Sequence, residues 1–401
     1  MRSTDPVHRQ QWVGEALLAA ILALIICYLI LHFGEGRAPL PNMDQGFVYI
    51  DPWPHRKNGH WIFQYPHLEY AGGITATFLV ALYKLIIPTH DSTLNHHVKL
   101  FAAFLYLVSN VFLIREYLTS ALNRIYALAI IGSAGLVLLE PSSEVIAAVY
   151  LNVFLIAIAR NSHIVAAISV ALFSLTKAEM VPIAVAIAGS YSLLARCSLQ
   201  QKIVFVLIFA TATLALVVPA WLLYGAPGSR SLPAIELTYC EWYGLDVEAC
   251  SAGKFISINS LVELIWSRPR HYVAFLLWRL PDISGTVVNV LGPIIIALPI
   301  LIWFGWKRLS APKETIFVVV VTVTLVASIA VGLAVGLMMP RYLTRVYGAT
   351  IVACLLCWET ISSNLMAANS RRAAFASAFV IGMLFLNIWR LPMYIFAPHG
   401  N

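Results

Sequence analysis

The chain has 401 residues, 60% of them hydrophobic and only 11% charged, with a formal net charge of +7. An ordinary soluble domain carries roughly 25% charged residues, so this composition leaves too little polar surface to cover a water-soluble core and points to an integral membrane protein. The cations fall mostly in short turns between apolar runs, where they report orientation and not a nucleic-acid partner.

The apolar runs suit helices of about 20 residues better than the ~10-residue alternating strands of a barrel. The expected fold class is therefore an all-α polytopic integral membrane protein, a single transmembrane domain over residues 1–401. Its first run, Ala16 to Phe33, follows the basic segment MRSTDPVHRQ and lacks a small-residue cleavage site, so it reads as a retained helix with a cytoplasmic N-terminus.

The chain then emerges into a first outer loop, residues 34–97, through PNMDQGFVYIDPW, which holds Asp44 and Asp51. Asp51 precedes Pro52 and reads as a turn former. Further along, Ala71 to Pro88 carries Gly72, Gly73 and Lys84 and reads as a helix lying in or dipping into the outer interface.

Later crossings are expected at Val98 to Ile114, Ile125 to Leu139, Val145 to Ala159, Ile164 to Leu175, Met180 to Leu194 and Ile203 to Tyr224. Val287 to Trp306, Thr315 to Leu337, Tyr342 to Thr360 and Ala373 to Trp389 complete a bundle of about eleven helices. Arg115 with Arg124, Arg160, Arg196 with Lys202, Lys307 with Arg308 and Lys313, and Arg371 with Arg372 mark the cytoplasmic turns. A second outer loop, residues 225–285, contains FISINSLVELIWSRPRHYVAFLLWRL, whose helical apolar spacing and interleaved Arg268, Arg270 and Arg279 read as interfacial helices with cations at headgroup level.

With that topology, Asp44, Asp51, Glu69, Glu140, Glu144, Lys177, Glu179, Arg341 and Arg345 gather at the outer face. Ionisable groups at helix ends inside a bundle are costly unless paired or lining a cavity, so the gathering points to one outward-facing polar site. In LLEPSSEV, Ser142 or Ser143 can cap the next helix, with Glu144 in its first turn and Glu140 before Pro141. Capping explains one of these glutamates; two at one helix start are harder to explain structurally. Lys177 and Glu179, two residues apart in FSLTKAEM, would face different sides of a helix and pair only in a turn. Arg341 follows Pro340 at a helix start, where a cation opposes the dipole unless it holds an anion.

His60, His67, His90, His96 and His97 are also outside, at spacings that form no metal triad. Cys27, Cys197, Cys354 and Cys357 lie in or beside apolar runs and read as packing residues. Cys240 and Cys250 bracket a polar segment and can close a small disulfide loop if exported.

The order of these features resembles the GT-C membrane glycosyltransferases, particularly the branch of protein O-mannosyltransferases and lipid A aminoarabinose transferases. The matching elements are the acidic NMDQ in the first outer loop, YPHLEYAGGITATFLVALYKL, SSEVIAAVYLNVFLIAIAR with its opening acid, the LTK turn in ALFSLTKAEMVPIAV, and PRYL in MMPRYLTRVYGATIVA. Together they span about Val13 to Thr360. The sequence departs from the family where Gln45, not a second carboxylate, follows Asp44, and where Thr344 and Arg345 follow PRYL.

The resemblance implies a GT-C-like bundle in the inner or plasma membrane. It implies inverting transfer of a sugar from a polyprenyl-phosphate donor to a lipid, glycan or protein acceptor at the outer, periplasmic or extracytoplasmic, face. In that chemistry Asp44 is the expected base, and Glu144, with Glu140 as substitute, orients the acceptor or holds a divalent cation such as Mg or Mn together with Asp44. Lys177 and Arg341 neutralise the departing lipid phosphate. His67, Glu69, Glu179 and Arg279 are secondary site residues.

A secondary transporter or a lipid or oligosaccharide flippase is the rival from another class. It would show charges near the bilayer midplane and paired broken helices, whereas the charges here are expected on one side. An oligosaccharide polymerase or ligase is a further alternative that the sequence separates poorly.

Overall fold

A computed structural model describes residues 55–57, 60–62, 91–133, 143–176, 180–195, 197–224, 265–266, 268–292, 294–305, 309, 312–335, 340–368 and 382. Within them the chain is all-α apart from one short hairpin. The helices are α1 Asp91–Tyr117, α2 Ala121–Ser133, α3 Ser143–Ala159, α4 His163–Ser174, α5 Met180–Leu194, α6 Leu199–Tyr224, α7 Pro269–Leu291, α8 Ile294–Gly305, α9 Pro312–Val335 and α10 Thr344–Ala368. A 3-10 turn, Pro340–Leu343, leads into α10. Strands β1 His55–Lys57 and β2 His60–Ile62 pair antiparallel with Arg56 opposite Trp61, a hairpin inside the stretch expected to hold interfacial helices.

Sequence periods and helices coincide closely at Val145 to Ala159, Ile164 to Leu175 and Met180 to Leu194. The run Val287 to Trp306 is different. It is divided between α7 and α8 at Gly292, whose φ of 52° with ψ of −137° is a backbone conformation reserved largely for glycine. The helix begun by Pro269 therefore continues unbroken through Gly285 to Leu291, and Pro269 starts it because a missing N–H costs nothing in a first turn. The presumed crossings Ala16 to Phe33 and Ala373 to Trp389, the helix Ala71 to Pro88, and Cys240 with Cys250 lie outside the described residues.

Among the described residues one segment, Pro312–Ala334, is long and apolar enough to cross a membrane, and five shorter apolar helices accompany it.

α10 is the centre of the bundle. Every residue from Tyr342 to Trp358 is buried, as expected of a helix surrounded by others. It packs on α1, α2, α3, α8 and α9. Gly305 lets α8 come close, since a Cβ there would stand 3.1 Å from that of Cys357. Cys354 and Cys357 are buried free thiols, in keeping with packing roles.

Two ends of the bundle can be told apart by contacts. At one end Arg160 pairs with Glu116 at 3.2 Å, Tyr117 stacks on Phe317 at 3.9 Å, and His163 Nδ1 shares a hydrogen bond with the Tyr191 hydroxyl. Glu359 of α10 also belongs there. Its carboxylate accepts bonds from Thr119 N (3.0 Å), Thr119 Oγ1 (2.9 Å), Ser120 N (2.9 Å) and Asn123 Nδ2 (3.1 Å), capping α2 from a distant helix. We expect Glu359→Ala to cost about 0.5–2 kcal/mol, the range of a lost N-cap, read as a lower melting temperature in detergent. An unchanged melt would mean that solvent replaces the cap at no cost.

At the other end lie the first turns of α3, α5 and α10, the 3-10 turn and the end of α9. Tyr272 of α7 donates to the Ala334 carbonyl there at 2.6 Å, and the 3-10 turn touches α3, α7 and α9.

Candidate functional site

The second end holds the described part of the expected site. Glu144 occupies the first turn of α3, where the helix dipole favours an anion, and its side chain is 1% exposed. The backbone of Arg341 lies in the Pro340–Leu343 turn, which packs against α3. The structure thus brings the chain positions of Glu144 and Arg341 to one end of the bundle, although 197 positions separate them in sequence (341 − 144).

Asp44, Glu140, Lys177, Glu179, His67 and Glu69 lie outside the described residues. Lys177 and Glu179 fall in sequence between Thr176 and Met180, which bound α4 and α5 at this same end.

Arg345 is the residue that sequence reasoning undervalued. Its sequence position places it among the outer charges, where the anion-holding role is expected of Arg341. In the structure Arg345 is 1% exposed, among the largest fully buried side chains. Its Nη1 donates to Met180 Sδ at 2.8 Å, and its guanidinium lies 5.7 Å from the Tyr342 ring centroid. The buried guanidinium therefore joins the start of α10 to the start of α5. The signal was present in PRYLTR: a second arginine four residues after the first occupies the same side of a helix.

Arg279 is committed locally. It pairs with Asp282 at 3.1 Å and lies 5.1 Å from the Trp278 ring centroid, so it is an internal stabiliser of α7 before it is a ligand for anything else.

A second buried polar group lies deeper, where α1, α3 and α10 meet. Ser109 Oγ and Asn110 Nδ2 both donate to the Tyr106 carbonyl, at 2.9 and 2.8 Å, and Asn152 Nδ2 donates to Ser109 Oγ at 3.0 Å. Gly348 faces Asn110 so closely that no Cβ fits without displacing the carboxamide. Ser109 with Asn110, and Asn152, are small polar residues inside apolar runs; an asparagine in such a helix signals an interhelical bond, and Asn152 makes one to Ser109.

Among the described residues no three His, Cys, Asp or Glu side chains group to hold a metal ion. Of the pair expected to hold a divalent cation, Glu144 is among the described residues and Asp44 is not.

The chain matches no protein-family model, no curated protein and no solved structure.

Proposed function

We propose that the protein is a polytopic membrane glycosyltransferase of GT-C type, moving a sugar from a polyprenyl-phosphate donor to a lipid, glycan or protein acceptor at the outer membrane face. The observation that carries the reading is the withdrawal of a carboxylate, Glu144, and a guanidinium, Arg345, from solvent at one end of the bundle, beside the turn that contains Arg341. Buried charges of both signs at helix starts are retained where they have a task or a partner.

Support for a lipid environment comes from the bundle's surface. Large apolar side chains face outward from successive helices, among them Phe104, Leu122, Ile164, Val185, Leu207 and Trp303. A water-soluble monomer rarely exposes a contiguous apolar patch above a few hundred Å². Arg160 with Glu116, and Glu359 with the Thr119–Asn123 turn, gather the basic turns around Arg115, Arg124 and Arg160 at the opposite end, an arrangement that favours a cytoplasmic placement of that end.

In the proposed reaction an acceptor hydroxyl attacks the anomeric carbon of the donor as the bond from that carbon to the phosphate oxygen breaks, inverting the centre. Asp44 takes the hydroxyl proton, because a neutral hydroxyl is a poor nucleophile. Lys177 and Arg341 stabilise the negative charge that accumulates on the lipid phosphate. Glu144 orients the acceptor by accepting a hydrogen bond from it. Glu144→Gln keeps the size of the side chain and removes its charge, so transfer is expected to fall by at least about tenfold, since misplacing a reactant by about 1 Å can cost on the order of 100-fold. Full turnover by that variant would remove Glu144 from the site.

The test of the reaction class is transfer of radiolabelled sugar from polyprenyl phosphate in vesicles carrying the protein, paired with lipid extracts of a deletion strain. Accumulation of a polyprenyl-linked sugar in the deletion strain is the expected result. Unchanged lipid profiles, with no transfer in vesicles, would sink the proposal and favour the flippase reading if vesicles instead equilibrate the lipid between leaflets.

A further inference from the structure

We propose that the first turns of α7 form a docking surface for one anionic phospholipid of the surrounding leaflet, its phosphate on Arg268 and Arg270 and an acyl chain along Val273 and Leu277. The proposal rests on the membrane placement of the bundle and is independent of sugar transfer.

The argument starts from how α7 divides its faces. Tyr272, Phe275, Ile283, Val287 and Leu291 are buried, and Tyr272 is fixed by its bond to the Ala334 carbonyl. At 3.6 residues per turn, Arg270, Val273, Leu277 and Val288 fall within roughly 60° of one another, along the flank of the buried face. All four are exposed, Leu277 by 65%. An exposed apolar stripe thus begins at a cation.

One cation, Arg270, lies on that stripe, and Arg268 is the N-cap two residues before it. Arg268, Arg270 and His271 are exposed, and among the described residues none has a hydrogen bond or an ion pair from its side chain. Arg279 differs in kind, being held by Asp282 and Trp278. No acidic residue stands in the first turn of α7 to neutralise the pair. Trp266, 86% exposed, precedes them, and an indole beside free arginines is the composition of a headgroup-level anchor.

Charge complementarity therefore selects an anion. The stripe running away from it selects one that carries a hydrocarbon chain, which inorganic phosphate does not. Because α7 touches the 3-10 turn, the captured lipid lies at the same end of the bundle as Glu144 and Arg345.

Native mass spectrometry of the full chain in detergent tests this, with phosphatidylglycerol and phosphatidylcholine offered in competition. The wild type is expected to retain one phosphatidylglycerol in preference, and Arg268→Gln with Arg270→Gln to weaken that retention roughly tenfold or more, given the attraction of each cation for an anionic surface. Leu277→Gln is expected to weaken retention of both lipids while leaving the preference intact. Equal retention of the two lipids by the wild type, or unchanged retention by the double variant, overturns the proposal. So does displacement of the lipid by millimolar inorganic phosphate, which would mark a free-anion site. Should the double variant not fold, a photoactivatable phosphatidylglycerol must cross-link wild type within residues 265–280, and cross-links confined elsewhere overturn the proposal. Failure of sugar transfer leaves every one of these readouts unaffected, and loss of lipid retention leaves the transfer assay standing.

Discussion

Vesicles carrying Asp44→Asn are expected to transfer sugar at least 100-fold more slowly than wild type, the low end of what a general base contributes, roughly 10²–10⁴-fold. The substitution preserves shape and removes the group proposed to receive the acceptor's proton. Its effect should fall on turnover at saturating donor, since the base acts as the bond forms and not as the lipid binds. Asp51→Asn serves as the control. A residue preceding Pro52 in a turn should tolerate the change, so equal losses for both aspartates would reassign the segment to a structural role. Retention of full turnover by Asp44→Asn would remove the base from the proposed reaction.

The second large effect is expected at Gly348→Ala. The added Cβ would overlap the Asn110 carboxamide oxygen and stand 3.0 Å from its Cγ. Asn110 cannot simply turn away, because its Nδ2 is bonded to the Tyr106 carbonyl at 2.8 Å and the residue is fully buried. Over-packing of this kind costs about 1–3 kcal/mol. The melting temperature in detergent should drop accordingly. Asn110→Ala opens the space and also loses the bond, so the double variant should be less destabilised than the sum of the singles, a coupling expected between residues in contact. Strict additivity would show that α1 and α10 do not meet at this point in solution.

How much of this was legible in the sequence depends on the kind of signal. The spans of α3, α4 and α5 could be read nearly to the residue, since each apolar run is bounded by charges or turn residues: Glu144 and Arg160, Asn161 and Lys177, Glu179 and Arg196. The division between α7 and α8 could not. An apolar run reads the same whether one helix continues or two meet at a glycine, and only the positive φ of Gly292 separates them. For the site, the sequence supplied the residue types and the structure supplied the neighbours. Glu144 was named for its place in a first turn, which is where it lies. Arg345 was passed over in favour of Arg341, because hydropathy ranks both arginines as exposed and carries no information about which one a central helix encloses. The Tyr106, Ser109, Asn110 and Asn152 group is hidden for a similar reason: its last member comes from α3, and the sequence of α1 does not show that Asn152 reaches Ser109.

The enclosure of α10 has a consequence for how the protein is made. This helix is buried on all sides by α1, α2, α3, α8 and α9, yet it leaves the ribosome after all of them. Between the first residue of α1 and the first of α10 lie roughly 250 residues, or about 12–50 s of synthesis at 5–20 residues per second. Throughout that interval the donors of the Thr119–Asn123 turn are waiting for a helix that has not been translated. Nascent chains stalled before Thr344 should therefore leave the Thr119–Asn123 donors without the Glu359 carboxylate that they bond in the finished fold.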